Sequence, residues 1–200
     1  TLGPSHHTTE DLAALRAIPN LTILSPATPI EAAACVMTAY EHTGPVYIRL
    51  GMGGETEYFG DGYTTAFGKS TELASGSAAA VLCTGSILSE VMECRDILHS
   101  RGVDISVLNM YSVKPLDEEA VLSAAGKHRM IFTVEEHSIY GGIGGAAAEV
   151  LAGHGCTAKL VRIGLQNSFA KGYGSQKDVR ARNGLDGAGI AETIWEHLNG

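Results

Sequence analysis

Residues 79–110 read AAVLCTGSILSEVMECRDILHSRGVDISVLNM, and their pattern decides the fold. Ala79–Cys83 is an apolar run of strand length. Ser86 reads as a helix cap, and Ile87, Val91, Cys94 and Leu98 then recur at helical spacing on one face. Gly102 closes that helix. Ile105–Met110 is a second apolar run. Strand, helix and strand at this spacing predict a parallel pair joined by a right-handed crossover.

The alternation continues downstream. Met130–Val134 and Lys159–Ile163 read as further strands. Helices are expected from about Asp117 to Ala125 and from about Gly142 to His154. A last helix starts at Asp186, where Leu185 and Ile190 form a hydrophobic staple and Ile194 and Leu198 continue the face. A first strand is expected near Thr65–Lys69. Residues 67–200 therefore read as one α/β unit, with a mostly parallel sheet between helices.

Upstream, residues 51–66 carry Gly51, Gly53, Gly54, Gly60 and Gly62 among polar residues and read as a linker. The first fifty residues read as helix, strand, helix, strand. Thr8, with Asp11 three positions on, predicts a capping box, followed by a stripe of Leu12, Leu15 and Ile18. Leu21–Leu24 is a short strand. Thr28, Pro29 and Glu31 mark the next helix start as cap, first turn and capping-box acid. Val46–Leu50 is a strand carrying Arg49. Two βα pieces are too small to bury a core alone, so this unit must dock on the second unit, a partner chain or further sequence.

Composition narrows the classes. Over 200 residues, 44% are apolar and 18% charged, values of a folded globular chain rather than a disordered one. The net charge of −8, without a basic stripe, argues against nucleic-acid and anionic-membrane partners. Cys35, Cys83, Cys94 and Cys156 form no C-x-x-C pair and read as small buried hydrophobes of a reducing compartment. No run is long enough to span a membrane. The chain opens Thr-Leu-Gly-Pro, with no basic region or apolar signal core, so the cytoplasm is the expected location.

Few residues can carry chemistry. His6 and His7 follow a Gly-Pro turn just before a helix start, where an imidazole could transfer protons or donate to an oxyanion; a solvated loop is the alternative. Arg49 ends an apolar strand, where α/β folds bind ligands, and its planar fork suits phosphate; a structural ion pair is the alternative. Glu135, Glu136 and His137 also follow a strand. No further ligand arrives at metal-site spacing, so a solvated loop or an inter-domain contact is the better reading. Gly141-Gly142-Ile143-Gly144-Gly145 could cradle phosphate but lacks a complete phosphate-loop pattern, which favours close helix–sheet packing. Ser168 to Arg182 reads as an exposed loop or short helix.

Several stretches together resemble the transketolase family. They are Gly3-Pro4-Ser5-His6 with Glu10-Asp11-Leu12 and Arg16-Ala17-Ile18-Pro19-Asn20; Ser25-Pro26-Ala27 with Glu31-Ala32; Gly44-Pro45-Val46-Tyr47-Ile48-Arg49; and Thr133-Val134-Glu135-Glu136-His137 with Gly141-Gly142. The match runs through the chain in one register and is similar to the C-terminal subunit of split transketolases. The resemblance implies that residues 1–66 are the end of an α/β thiamine-diphosphate pyrimidine-binding domain plus a linker. It implies that 67–200 are a three-layer, mostly parallel transketolase C-terminal domain.

The same resemblance implies a function. Thiamine diphosphate would carry a two-carbon ketol unit from a ketose phosphate to an aldose phosphate. His6 would match the proton-transfer histidine, and Arg49 the arginine that grips the sugar phosphate. Leu2 stands where the family usually has an acid associated with sugar-hydroxyl recognition. The diphosphate/Mg²⁺ motif and the pyrimidine-domain glutamate are not in this sequence, so the main cofactor site would belong to an N-terminal half or subunit. Assembly as a homodimer or heterotetramer is implied, and the isolated chain is expected to be inactive. Related readings are a 1-deoxyxylulose-5-phosphate synthase, a 2-oxoacid dehydrogenase β subunit, a non-catalytic assembly module and a small-ligand regulatory domain.

Overall fold

The computed structural model describes residues 8–200. Its larger sheet holds five strands: β3 (Thr71–Ala74), β4 (Ala79–Thr84), β5 (Ile105–Asn109), β7 (Met130–Ser138) and β8 (Lys159–Leu165), in the order β3-β5-β4-β7-β8. The β4–β5, β4–β7 and β7–β8 pairs are parallel, while β3 lies antiparallel on β5 as an edge strand. Helices α3 (Leu88–Ser100) and α7 (Gly187–Asn199) cover one face; α4 (Glu118–Lys127) and α5 (Ile143–Gly153) cover the other.

Strand periodicity explains the three layers, because successive side chains alternate between faces. Val81, Cys83, Val107, Phe132 and Val134 join the α3/α7 core. Their neighbours Ala80, Leu82, Leu108 and Ile131 join the α4/α5 core. Each fully buried large apolar side chain contributes roughly 1.5–3 kcal/mol. Asp117 Oδ1 accepts the Ala120 N–H at 3.1 Å, and Asp186 Oδ1 accepts that of Gly189 at 3.1 Å, so both helix starts are capped. Ser86 does not cap α3. The chain enters α3 through a 3₁₀ turn, Gly85–Ile87, and the Ser86 hydroxyl instead accepts from Arg180 at 2.8 Å.

A smaller sheet has the order β2-β1-β6, with β1 (Thr22–Leu24) parallel to β2 (Val46–Ile48). Its third strand, β6 (Ser112–Lys114), comes from the larger unit and lies antiparallel on β1. Main-chain bonds from Ser25 N to Tyr111 O (2.7 Å) and Gly85 N to Ser25 O (3.1 Å) extend the join. The N-terminal elements thus dock on the larger unit. Helices α1 (Asp11–Arg16) and α2 (Pro29–Tyr40) accompany this sheet. A strand as short as β6 leaves no periodic trace, and sequence reading passed over it.

Three local expectations are corrected. Residues Thr65–Lys69 are irregular, and the edge strand begins at Thr71. There, Ala66 N–H donates to the Tyr111 hydroxyl at 3.1 Å and Gly68 N–H to Ser112 Oγ at 2.9 Å, so side chains replace a ladder. Helix α1 begins at Asp11 with Glu10 at its cap and no side-chain cap bond; Thr8 caps nothing. At α2, Thr28 does cap the Glu31 N–H at 3.3 Å. The Glu31 carboxylate, however, reaches past the cap to Ala27 N at 2.7 Å and leaves the helix surface altogether.

Residues 51–66 hold no helix or strand, though Phe59 and Tyr63 stack at 4.1 Å between ring centroids. Cys35, Cys83 and Cys94 are buried, and burial pushes the Cys35 and Cys94 thiols up to about 12. Among the described residues, no helix is long and apolar enough to cross a membrane.

Candidate functional site

Tyr47 and Arg49 sit two positions apart at the end of β2, so they project from the same face of the strand. Their common partner is Asp11, the first residue of α1. Arg49 Nε donates to Asp11 Oδ2 at 3.0 Å and Oδ1 at 3.3 Å, and the Tyr47 hydroxyl donates to Oδ2 at 2.9 Å. Arg49 Nη2 donates to the Thr8 carbonyl at 2.6 Å and the Glu136 carbonyl at 3.1 Å. The guanidinium therefore ties α1 and β2 to the end of β7. Among the described residues, Nη1 carries no hydrogen bond, and the side chain keeps 17% of its exposure.

The ion-pair reading of Arg49 thus describes real bonds, but among the described residues it leaves Nη1 without one. His6 lies outside the described residues.

Glu135 and His137 are fully buried beneath this pair. Glu135 accepts the Ile143 N–H at 2.8 Å and the Gly144 N–H at 3.0 Å, at the N-terminus of α5. Burial pushes its carboxyl above the usual range, opposed by these N–H groups, His137 and Arg49. The glycine run is explained directly. A Cβ on Gly142 would lie 1.9 Å from Glu135 Oε2, and one on Gly144 2.8 Å from Thr133 Oγ1. The backbone donors that could cradle a phosphate are occupied by the chain's own carboxylate.

His137 Nδ1 lies 2.7 Å from the Ser138 carbonyl, and Nε2 accepts the Ala13 N–H at 3.4 Å. These partners put the proton of a neutral ring on Nδ1. His137 thereby holds the first turn of α1 against β7. It is a buried junction contact, so the solvated-loop reading fails and the inter-domain reading fits.

Glu136 faces the other way. It accepts from Arg180 Nη2 at 2.6 Å and Gln176 Nε2 at 2.9 Å. Both donors belong to α6 (Gln176–Arg182), whose start carries a Ser175–Asp178 capping box. Arg180 Nη1 also contacts Glu90 at 3.4 Å, and Glu90 accepts the Gly187 N–H at 3.0 Å. Arg180 is 6% exposed, so this part of the polar stretch 168–182 is interior.

No group of three or more His, Cys, Asp or Glu suited to a metal occurs among the described residues. The Ile143 and Gly144 N–H groups of the glycine run are taken by Glu135. Sequence reading singled out Arg49 as a candidate and missed Asp11 and Tyr47 as its partners. The period-two spacing of Tyr47 and Arg49 was the available signal for one; nothing local marks the other.

A mostly parallel five-stranded sheet between helices, with a smaller sheet docked beside it whose strand β2 leads into Arg49, defines an α/β protein. Residues 68–190 match the family described as transketolase, C-terminal domain, and residues 1–53 match transketolase, pyrimidine binding domain. The chain belongs to the transketolase family. It is 32% identical over 191 residues to an apulose-4-phosphate transketolase subunit of Actinobacillus succinogenes, covering 96% of this chain and 61% of that one. It is 34% identical over 199 residues to a 1-deoxy-D-xylulose-5-phosphate synthase of Syntrophotalea carbinolica, covering 98% of this chain and 31% of that one. A solved split-gene transketolase, an inactive beta4 tetramer, superposes with a TM-score of 0.92 at 32% identity, covering 98% of this chain and 64% of that one. The chain spans about 61% of the length of the first curated relatives it matches.

Proposed function

We propose that this chain is the C-terminal part of a thiamine-diphosphate-dependent transketolase that moves a two-carbon ketol unit between sugar phosphates. The observation that carries the reading is Arg49: its guanidinium is anchored at a strand end with Nη1 unbonded among the described residues. That end of the fork is suited to the phosphate of a sugar substrate. His6, in the motif matched to the family, takes the proton-transfer role.

Thiamine diphosphate and Mg²⁺ belong, in this proposal, to an N-terminal half or subunit that assembles with this chain as a homodimer or heterotetramer. The cofactor supplies the electron sink for cleavage of a carbon–carbon bond. The chain's own contribution is to hold the substrate's phosphate and to move a proton at the imidazole.

Reconstitution tests this. The chain alone should show no turnover; mixed with its N-terminal half and thiamine diphosphate, it should transfer a ketol unit from a ketose phosphate to an aldose phosphate. Robust turnover by the chain alone, or assembly without activity, would refute it. The synthase relatives favour one second reading, a 1-deoxyxylulose-5-phosphate synthase. Pyruvate consumption in the same assay, without ketose cleavage, would select it.

A further inference from the structure

Arg49 meets Asp11 in a way that a freely available phosphate grip would not. A guanidinium has five N–H donors. The Nε donor goes to Asp11, and the Nη2 donors go to the Thr8 and Glu136 carbonyls. A two-pronged grip on an anion uses donors on two different nitrogens. Here only Nη1 remains among the described residues, so an anion is met end-on by one nitrogen. The Asp11 carboxylate, 7% exposed, also sits within an ion-pair distance of 3.0 Å and offsets the charge that Arg49 presents. Tyr47 holds that carboxylate in place at 2.9 Å.

We infer that Asp11 is a positioning residue that aims Arg49 Nη1 at the ligand and sets how tightly a phosphate is held, a role that rests on Arg49 being the phosphate grip. The other groups facing this pair act differently. His137 Nε2 is 3.9 Å from Asp11 Oδ1 but already accepts the Ala13 N–H, and Glu135 is turned toward α5. Asp11 is therefore the anion that bonds Arg49 directly. Keeping the acceptor while removing its charge should leave Arg49 aimed and strengthen its pull on a dianion. A purely structural Asp11 predicts the opposite, with fold stability and affinity falling together.

Calorimetric titration of the full chain with inorganic phosphate and with ribose 5-phosphate tests this. Asp11→Asn should tighten phosphate binding about 3- to 10-fold, with a steeper loss of affinity in salt, while its melting temperature stays level or drops. Asp11→Ser, also neutral and hydrogen-bonding, replaces it if the first variant does not fold. Arg49→Ala should abolish binding. If Arg49→Ala abolishes binding but the neutral variants bind as wild type or more weakly, the role of Asp11 is overturned and Arg49 stands. If Arg49→Ala binds like wild type, or wild type binds neither ligand at millimolar concentration, the reading of Arg49 falls and this inference with it.

Discussion

Glu31 of α2 accepts from the Asn109 side-chain amide at the end of β5, at 2.8 Å to one carboxylate oxygen and 2.9 Å to the other. Both side chains are fully buried, and the Tyr63 hydroxyl adds a third partner at 3.1 Å. This contact joins the N-terminal elements, the irregular segment and the large sheet at one point.

Burial raises the Glu31 carboxyl above its ordinary value, opposed by hydrogen bonds from Ala27, Asn109 and Tyr63. A carboxyl with a raised folded-state pKa favours folding when protonated. Its contribution is fully present below the unfolded-state value and is lost as pH rises through the folded-state value. Urea denaturation from pH 4.5 to 8 should therefore show wild type gaining stability relative to Glu31→Gln as pH falls. Glu31→Ala should cost about 1–3 kcal/mol, because buried donors lose their acceptor.

Gly142 should not tolerate a side chain. The Cβ of Gly142→Ala would overlap the Glu135 carboxylate, which is held by two backbone donors and has no room to yield. Chemical denaturation should register a loss of about 1–3 kcal/mol. Gly153→Ala is the control, since nothing lies within 4 Å of its added carbon, and it should be neutral or stabilising.

Arg180 joins two carboxylates from different elements, Glu90 and Glu136. Arg180→Ala leaves both acids uncompensated in a largely closed environment and should cost about 3–5 kcal/mol in a denaturant titration. The triple change to Met at 180 with Gln at 90 and 136 should recover most of that loss, because it removes the unpaired charges.

Leu82 lies in the central strand β4 and is fully buried against α4 and α5. Leu82→Ala should lower unfolding free energy by about 2–5 kcal/mol, read from a shifted denaturation midpoint with an unchanged slope.

The parallel strands of the large sheet were legible because each is an apolar run bounded by a helix with its own period. Pro29 after Thr28, and Asp186 before an apolar stripe, marked helix starts through purely local bonds. Thr8 and Ser86 showed the same local chemistry and did not cap. At Ser86 a tertiary partner, Arg180, claimed the hydroxyl; at Thr8 the backbone carbonyl serves Arg49. A cap motif is a competition between near and distant partners, and only the near ones are visible in a chain.

Period and punctuation along the chain determined the α/β class and the strand-end position of Arg49, because both depend on neighbours a few residues apart. Tertiary structure alone decided that β6 would cross into the smaller sheet, that Glu135 would fill the glycine-rich helix start, and that Asp11 would hold Arg49. The first and last of these span tens of residues in sequence, whereas Glu135 bonds donors eight and nine positions on. Their geometry exists only once the elements have packed, since the loss of water that makes such polar groups seek partners comes from the packing itself.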